Sequence, residues 1–309
     1  MKKDLISLAE LSRLEVEELL ARAAALKQAH QAGETDASLR GQTLAMMFEK
    51  PSLRTRVTFE TGMAQLGGTA IYLTPTDIQL GARETVGDIA RNLSRWVDLI
   101  MARTYAHSVL EELAEAATVP VINGLTDLLH PCQVLADAQT LQEHFERIDG
   151  LKVAFVGDGN NVANSWLNLA AVFNLDFRLA CPNGYQPTPE ILEAAQERTE
   201  GSIIVTQDPK EACAGVDAVY TDVWTSMGQE EEAQLRRTVF AEYQVNRALM
   251  ALAAPEAVVM HCLPAHRGEE ISAEVLDGPQ SVVFDQAENR LHAQKAVMCW
   301  LNENRKTGH

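Results

Sequence analysis

Two arginines and two hydroxyl residues stand together just after the first apolar strand of the chain. Ser52, Arg54, Thr55 and Arg56 follow the run Thr43–Phe48 and open a helical pattern. Ser52 is a typical helix N-cap, because its hydroxyl accepts a hydrogen bond from an N–H of the first turn. N–H groups, the positive end of the helix dipole and a guanidinium then converge, which predicts a phosphate-binding site. The alternative is a capped surface helix with solvated arginines.

Other polar residues fall at or beyond the carboxyl ends of predicted strands in both halves of the chain. In open parallel sheets, ligands bind outside these strand ends, so each such residue is a candidate for a site. The candidates are Gln79, Arg103, His130, Gln133, Asn161, Asp222, Cys262 and Arg290. Their convergence predicts a cleft between two domains.

Each of these candidates also has a purely structural interpretation. His130 before Pro131 is compatible with a helix start, because proline is favoured at the first helical position. Cys262 is compatible with a packed, inert thiol. Asp222 is compatible with the cap of a turn, and Arg103 with a charge at a strand edge. The joint occurrence of all of them, rather than any single member, favours a functional site.

The segment Gly157–Val162 follows a strand and opens a helix, as a dinucleotide-binding fingerprint does. Its third glycine position is occupied by Val162, and Asn160 and Asn161 crowd the approach of a pyrophosphate. No acidic residue ends the next strand, where a ribose-binding carboxylate is expected. The segment therefore argues against a nucleotide cofactor, and Asn161 instead offers an amide to a ligand.

Short apolar strands alternate with helical patterns along the chain. They predict an α/β fold of two doubly wound parallel-sheet domains, with the active site in the cleft between them. The first domain is predicted over 1–148 and the second over 149–309. The helix 132–146 crosses to the second domain, and the C-terminal helix 288–303 packs back on the first. A further continuous helix is predicted over 238–253, and a last strand over 282–284.

Composition excludes several classes of protein. Lys and Arg number 26 and Asp and Glu 43, which gives a net charge of −17 and no basic face for sequence-blind nucleic-acid binding. The N-terminus lacks the apolar core of a signal peptide, and no apolar run reaches the roughly 18 residues of a membrane span. The five cysteines are scattered without metal-ligand spacing, which indicates thiols in a reducing, cytoplasmic compartment and no metal.

Four motifs in this order resemble those of the ornithine carbamoyltransferases, within the aspartate/ornithine carbamoyltransferase superfamily. They are Ser52-Leu53-Arg54-Thr55-Arg56, His130-Pro131-Cys132-Gln133, Asp222 with Ser226-Met227-Gly228, and His261-Cys262-Leu263-Pro264. The resemblance implies carbamoyl transfer from carbamoyl phosphate to the δ-amine of L-ornithine, giving L-citrulline and phosphate in arginine biosynthesis, without metal or organic cofactor. It also implies a homotrimer or a multiple of trimers, in which the loop around Gln79 is lent to a neighbouring subunit's site.

The same resemblance assigns residues to the two substrates. The implied carbamoyl phosphate ligands are Ser52, Leu53, Arg54, Thr55, Gln79, Arg103, His130, Pro131, Cys132, Gln133, Cys262, Leu263 and Arg290. The implied ornithine ligands are Asn161, Asp222, Ser226 and Met227. Arg103, His130 and Cys262 are the implied catalytic residues. The chain departs from the usual family pattern at Leu53, where threonine is familiar; leucine is compatible if this position gives only its backbone N–H.

Three other functions remain as alternatives. Within the enzyme class, the amine is putrescine or an N-acylated ornithine, although the segment 226–228 favours ornithine. A binding-only relative without turnover is disfavoured by the intact Arg54, Arg103, His130 and Cys262. A nicotinamide-dependent dehydrogenase is the weakest alternative, because the nucleotide fingerprint is incomplete. The sequence does not decide whether the reaction runs towards citrulline or back to carbamoyl phosphate.

Overall fold

The computed structural model describes residues 3–78, 84–225 and 230–306. Its strands are β1 (Thr43–Phe48), β2 (Thr69–Leu73), β3 (Leu99–Arg103), β4 (Val121–Leu125), β5 (Lys152–Val156), β6 (Asp176–Ala180), β7 (Ser202–Thr206), β8 (Ala218–Thr221) and β9 (Val258–His261). Its helices are α1 (Arg13–Gln31), α2 (Leu53–Gln65), α3 (Pro75–Ile78), α4 (Val86–Trp96), α5 (His107–Ala116), α6 (Pro131–Phe145), α7 (Asn161–Phe173), α8 (Pro189–Arg198), α9 (Pro209–Cys213), α10 (Ala233–Val239), α11 (Arg247–Met250), α12 (Ala273–Leu276) and α13 (Val283–Lys306).

The chain divides into two compact units. Unit 1 comprises Met1–Gln139 and Glu288–His309, and unit 2 comprises Thr140–Ala287. One boundary therefore falls within α6 and the other within α13. None of the helices in the described ranges combines the length and apolarity that crossing a membrane requires.

Unit 1 contains a parallel sheet with the strand order β2-β1-β3-β4. β1 is flanked by strands on both sides, and Leu44 to Phe48 are buried, which explains its continuous apolar sequence. The chain runs from β1 to β2 and then returns to the other side of β1 to form β3. This reversal makes the carboxyl ends of β1 and β3 the expected ligand position in the sheet.

Part of α13 belongs to unit 1 and is held there by polar contacts. Arg22 of α1 forms two hydrogen bonds with the Glu303 carboxylate, at 2.8 and 2.7 Å. Lys27 Nζ donates to Asn289 Oδ1 at 2.8 Å. Such bidentate and charge-assisted bonds fix orientation as well as position. These bonds hold α13 against α1 and so fix the orientation of the helix that carries Arg290.

Unit 2 contains a parallel sheet with the strand order β7-β6-β5-β8-β9. Its order reverses between β5 and β8, whose ends are joined because Thr221 Oγ1 donates to Val156 O at 2.7 Å. Phe155 stacks on Tyr220 with a centroid distance of 5.2 Å, and Trp166 of α7 meets Tyr220 edge-on at 5.3 Å. This buried aromatic cluster fixes α7 against the two central strands, and with it the segment that follows β5.

The α/β fold with two parallel sheets is confirmed, but two predicted elements are wrong. The apolar residues 282–284 do not form a strand, because Val283 begins α13; so short a run does not distinguish strand from helix. Arg290 therefore lies within a helix rather than beyond a strand. The predicted helix 238–253 is broken, since Asn246 starts a new helix by accepting the Leu249 N–H at 3.1 Å.

Candidate active site

The amino end of α2 follows β1 at the reversal point of the unit 1 sheet. Ser52 is its N-cap, and the Ser52 hydroxyl oxygen accepts the Thr55 N–H at 3.3 Å. Leu53 is the first helical residue and is 76% exposed. Its backbone N–H has no carbonyl partner within the helix, as at any helix start. Leucine is therefore compatible with anion binding at this position, because a backbone contact needs no side-chain hydroxyl.

Arg290 is held by two side chains from other elements of unit 1. Its Nη1 donates to Gln133 Oε1 at 2.6 Å, and its Nη2 donates to Thr55 Oγ1 at 3.2 Å. Gln133 Nε2 donates in turn to Asp137 Oδ1 at 2.8 Å. All four side chains are buried. Three residues from α2, α6 and α13, each predicted as a ligand, thus form one network.

His130 lies among three guanidinium groups. Burial first, and then the positive charges of Arg290, Arg103 and Arg54, lower its pKa well below the ordinary value. The ring is therefore neutral at physiological pH and offers an N–H donor without adding a charge. Unit 1 accordingly brings together four of the residues that the sequence predicts for anion binding and catalysis.

Lys50 is a further buried cation that the sequence reasoning missed. Its Nζ lies 4.4 Å from the centroid of the Tyr105 ring. Burial, followed by repulsion from Arg103, lowers its pKa. The available signal was its position beyond the carboxyl end of β1, two residues before the cap Ser52. Concentrating cations here in a chain of net charge −17 favours an anionic ligand at this point.

Cys132 contributes to this region through packing. Its Sγ donates to the Asn123 carbonyl at 3.3 Å, and burial raises its pKa to about 12. The thiol therefore stays protonated and is directed at the backbone of unit 1. Pro131 is the first residue of α6, where its missing N–H costs nothing. Both side chains have structural roles beside their predicted part in ligand binding.

The Asp222 carboxylate collects three hydrogen bonds just beyond β8 in unit 2. Its Oδ2 accepts from Asn160 Nδ2 at 2.8 Å. Its Oδ1 accepts from Cys262 Sγ at 2.9 Å and from the Val223 N–H at 2.8 Å. Asp222 is buried, so these donors hold the carboxylate in one orientation. A carboxylate fixed in this way is a receptor for an ammonium group.

Asn160 is a second residue to which the sequence reasoning assigned no role in ligand binding. It is the N-cap of α7, and its Oδ1 accepts the N–H groups of Val162 and Ala163 at 2.9 and 3.2 Å. Its amide nitrogen is then directed to Asp222. Asn161, the residue predicted as a ligand, is the half-buried first residue of α7. An asparagine at an N-cap uses only its side-chain oxygen for the helix. Its amide nitrogen can therefore donate to another group, and this was the feature of the sequence that could have indicated a role for Asn160.

A buried ion pair adjoins this carboxylate. Arg236 Nη1 donates to Asp158 Oδ2 at 2.8 Å and to the Trp224 carbonyl at 3.0 Å. Burial raises the pKa of Asp158, and the positive charge of Arg236 partly offsets this rise. The guanidinium thereby links the segment after β5 to the segment after β8. Removing Arg236 would leave the buried Asp158 carboxylate without its cation, whereas Arg236 also pairs with Glu232 at 3.0 Å.

The glycine-rich segment after β5 serves packing. A Cβ placed on Gly159 would lie 2.3 Å from the backbone nitrogen of Pro187 and 2.7 Å from the Tyr185 carbonyl oxygen. The Gly159 N–H donates to that same carbonyl oxygen at 2.9 Å. Close approach of a neighbouring loop therefore accounts for glycine here. This contact explains the glycine without a pyrophosphate, in keeping with the incomplete fingerprint.

Cys262 and Leu263 follow β9 directly. Cys262 is partly exposed, unlike the other four cysteines, which are buried. Leu263 has φ of +57°, a left-handed conformation that leucine rarely adopts, and its peptide bond to Pro264 is cis. The Leu263 N–H donates to His261 Nδ1 at 2.8 Å. The side chain of His261 thus holds the main chain just after the thiol.

Three predicted ligands, Gln79, Ser226 and Met227, lie outside the described residues. Among the residues that the structure does describe, ligand atoms of Asp222, His261 and Cys262 come within 4.8 Å of one another. Both ring nitrogens of His261 are engaged, with Leu263 and Glu270. Two remaining donors fall short of the three or four protein ligands that zinc sites use. The geometry therefore favours a hydrogen-bonded cluster over a metal centre.

Two family models of one class of transferase match the chain, and each covers about one half of it. Residues 3–143 match the family described as aspartate/ornithine carbamoyltransferase, carbamoyl-P binding domain. Residues 149–301 match the aspartate/ornithine carbamoyltransferase, Asp/Orn binding domain. The chain belongs to the aspartate/ornithine carbamoyltransferase family.

Within that family, the chain is similar to proteins named ornithine carbamoyltransferase. The one from Methanothermobacter thermautotrophicus is 59% identical over 266 residues, which are 85% of this chain and 88% of that protein. The one from Syntrophus aciditrophicus is 52% identical over 298 residues, 96% of this chain and 99% of that protein. The solved structure of ornithine carbamoyltransferase from Pyrococcus furiosus is 50% identical with a TM-score of 0.94, and 96% of each chain is covered.

Proposed function

We propose that the chain transfers the carbamoyl group of carbamoyl phosphate to the δ-amine of L-ornithine, giving L-citrulline and phosphate. The observation that supports ornithine most directly is the buried Asp222 carboxylate beside Cys262. It attracts the α-ammonium of an amino acid, whereas it repels a second carboxylate such as that of aspartate. Arginine biosynthesis is the metabolic setting that we propose for this reaction.

Carbamoyl phosphate is the substrate that we assign to unit 1. Arg54 and the N–H groups at the start of α2, aided by Ser52, Leu53 and Thr55, neutralise the phosphate. Arg103 and the neutral His130 donate to the carbamoyl oxygen as it gains charge. The remaining proposed ligands are Gln79, Pro131, Cys132, Gln133, Cys262, Leu263 and Arg290. The domain division at 148 and 149 stays a prediction.

Ornithine is the substrate that we assign to unit 2. Asp222 pairs with the α-ammonium, and Asn161, Ser226 and Met227 complete the proposed set. The δ-nitrogen lone pair forms a bond to the carbamoyl carbon, the bond from that carbon to the phosphate oxygen breaks, and the amine loses a proton. Because an alkyl amine titrates near pH 10, as lysine does at about 10.4, the site captures the neutral form. Cys262 lies beside the attacking amine.

A homotrimer in the cytoplasm is the proposed state of the protein. Unit 1 exposes Leu53, Val57 and Ile71, and Ile71 lies on the edge strand β2. Exposed apolar side chains on a sheet edge are a common site of assembly. The five cysteines, all within the described ranges, form no disulfide, which fits a reducing compartment. Sedimentation equilibrium should give three copies of the 33.9 kDa chain or a multiple of three, and a monomer would contradict this proposal.

The deciding experiment is an assay of ureido product from carbamoyl phosphate with a panel of amines. The panel is L-ornithine, putrescine, N-acetyl-ornithine and aspartate, each at matched concentration. We expect product with ornithine and little with the others. A clear preference for another amine would refute the substrate assignment. Binding of carbamoyl phosphate without product from any amine would identify a binding-only relative.

A further inference from the structure

We propose that Glu270 is a positioning residue for this reaction. It acts through the ring of His261 and fixes the main chain at Cys262 and Leu263. The geometric part of this inference rests on contacts within unit 2, and the catalytic part rests on the proposed function.

The Glu270 carboxylate is fully buried. Its Oε1 lies 3.0 Å from His261 Nε2 and accepts the backbone N–H of His266 at 2.6 Å. Its Oε2 is buried without a hydrogen-bond partner in the described part of the chain, and His266 Nδ1 is 3.7 Å away. Burying a carboxylate against imidazole rings and a backbone N–H, rather than against arginine or lysine, is costly. Packing alone therefore does not explain an acid here.

The hydrogen bonds determine which nitrogen of His261 carries the proton. Nδ1 accepts the Leu263 N–H at 2.8 Å, so Nδ1 is unprotonated. The proton of the neutral ring is then on Nε2, which donates to Glu270 Oε1. Without an acceptor at Nε2, this tautomer would bury an unpaired N–H, and the ring would lose its fixed orientation. Glu270 thereby selects the tautomer that holds Leu263.

One carboxylate oxygen ties both ends of the loop between His261 and His266. The ring of His261 is bound at one end and the backbone N–H of His266 at the other. Glu270 is itself anchored, because its carbonyl accepts the Val245 N–H at 2.8 Å. The loop between these ends contains Cys262 and the left-handed Leu263. Both residues, which the proposed function lists among the substrate ligands, are thus positioned by an acid that acts through His261 and His266.

Kinetics on three variants test the proposal. Glu270→Leu should lower kcat for ornithine by about 10- to 100-fold, the usual consequence of an ångström-scale misplacement. Glu270→Gln keeps an acceptor oxygen and should retain most of the wild-type kcat. Glu269→Leu is the matched control, since Glu269 is a partly exposed neighbour paired with Arg237 at 3.1 Å. An equal loss in the glutamine variant, or in the Glu269 variant, would overturn the proposal.

A double-mutant cycle tests whether Glu270 acts through His261. The amide oxygen of His261→Asn can accept the Leu263 N–H without help from Glu270, so Glu270→Leu should add little in that background. Additive losses would overturn the proposal. The nitrogen-15 chemical shifts of the His261 ring should show a single tautomer, protonated at Nε2, in the wild type. In Glu270→Leu they should show a mixture of the Nε2-protonated and Nδ1-protonated tautomers. An unchanged tautomer in a Glu270→Leu protein with lowered kcat would also overturn it.

The two proposals fail in different ways. If the wild type forms no ureido product with any amine, the proposed function is wrong, whereas the tautomer measurement still decides the role of Glu270. If the wild type is active and the cycle is additive, the proposed function stands and the role of Glu270 is wrong.

Discussion

Asn160 shows how one side chain serves two tasks at this site. Its oxygen caps α7 and its nitrogen donates to Asp222, so the capping of a helix and the orientation of this carboxylate share a single amide. Replacement by aspartate separates the two tasks. Aspartate keeps the capping oxygen, but it replaces a donor to Asp222 with a second carboxylate.

We therefore expect Asn160→Asp to lower kcat/KM for ornithine while α7 stays folded. A lost hydrogen bond to a charged group costs about 1.5–3 kcal/mol, or roughly 10- to 150-fold. Steady-state kinetics and thermal unfolding measure the two effects. Asn246→Asp, at the N-cap of α11, is the matched control and should leave kcat/KM unchanged. A comparable loss in both variants would show a general effect of aspartate caps.

Asp222 itself should determine which amine is used. Asp222→Ala removes the partner of the α-ammonium, and removing one member of such a pair costs about 2–5 kcal/mol, or roughly 30- to several-thousand-fold. Putrescine has no α-ammonium next to a carboxylate and should lose far less. The ratio of kcat/KM for ornithine to kcat/KM for putrescine should therefore fall. Steady-state kinetics on both amines measure this ratio, and calorimetry measures the affinity for carbamoyl phosphate. Equal losses for the two amines would remove the main physical support for ornithine.

At the scale of elements, the first turn of α2 is the phosphate-binding element that we propose. Arg54 lies in that turn after the cap Ser52, whereas Arg56 is occupied elsewhere. Arg56 pairs with Glu60 at 3.1 Å and lies over the Tyr72 ring at 3.9 Å. Two arginines that are two positions apart on one helix point in different directions, so we propose only Arg54 as a phosphate ligand.

Substituting each arginine in turn tests this division of labour. Arg54→Ala should weaken the binding of carbamoyl phosphate by roughly 10- to 150-fold, since a charge-assisted hydrogen bond contributes about 1.5–3 kcal/mol. Arg56→Ala, on the same helix, should bind it as the wild type does. Isothermal calorimetry gives both affinities directly. Unchanged affinity in Arg54→Ala would exclude the helix end as the phosphate site.

Elements that are apolar throughout could be predicted from the sequence, and contacts between distant residues could not. The bounds of β1, β3 and β5 agree with the sequence because buried parallel strands are continuous apolar runs. The break at Asn246 was missed because capping overrode the apolar pattern. Asn160 was missed because its partner Asp222 is 62 residues away. The sequence identifies residues that could bind a ligand, but only the folded structure shows which other residues hydrogen-bond to them and fix their orientation.

At the scale of the whole molecule, buried His130 makes stability depend on pH. Its pKa is lowered in the folded state from an unfolded value near 6.5. As the pH falls below that value, the unfolded chain binds a proton that the folded chain does not, so the free energy of unfolding decreases. The cost is about 1.4 kcal/mol per pH unit until the folded pKa is reached.

His130→Gln should remove this dependence. When the pH is lowered from 7.5 to 5.5, the Tm of this variant should fall less than the Tm of the wild type. The difference between the two falls should be a few degrees, since 1 kcal/mol shifts Tm by about 2–4 °C. Scanning calorimetry at several pH values measures the difference, and His107, whose pKa is also lowered, contributes equally to both proteins. Parallel curves would show that His130 is protonated equally in both states.

The discontinuous composition of unit 1 has a consequence for the nascent chain. Residues 140–287 of unit 2 are contiguous, whereas unit 1 is completed only by residues 288–309. During synthesis, unit 2 therefore has its full sequence before unit 1 does, although unit 1 begins first. Arg290, the partner of Thr55 and Gln133, leaves the ribosome only after the whole of unit 2. The cluster around Asp222 can therefore form on the ribosome before the arginine network of unit 1, which needs a residue that is synthesised after all of unit 2.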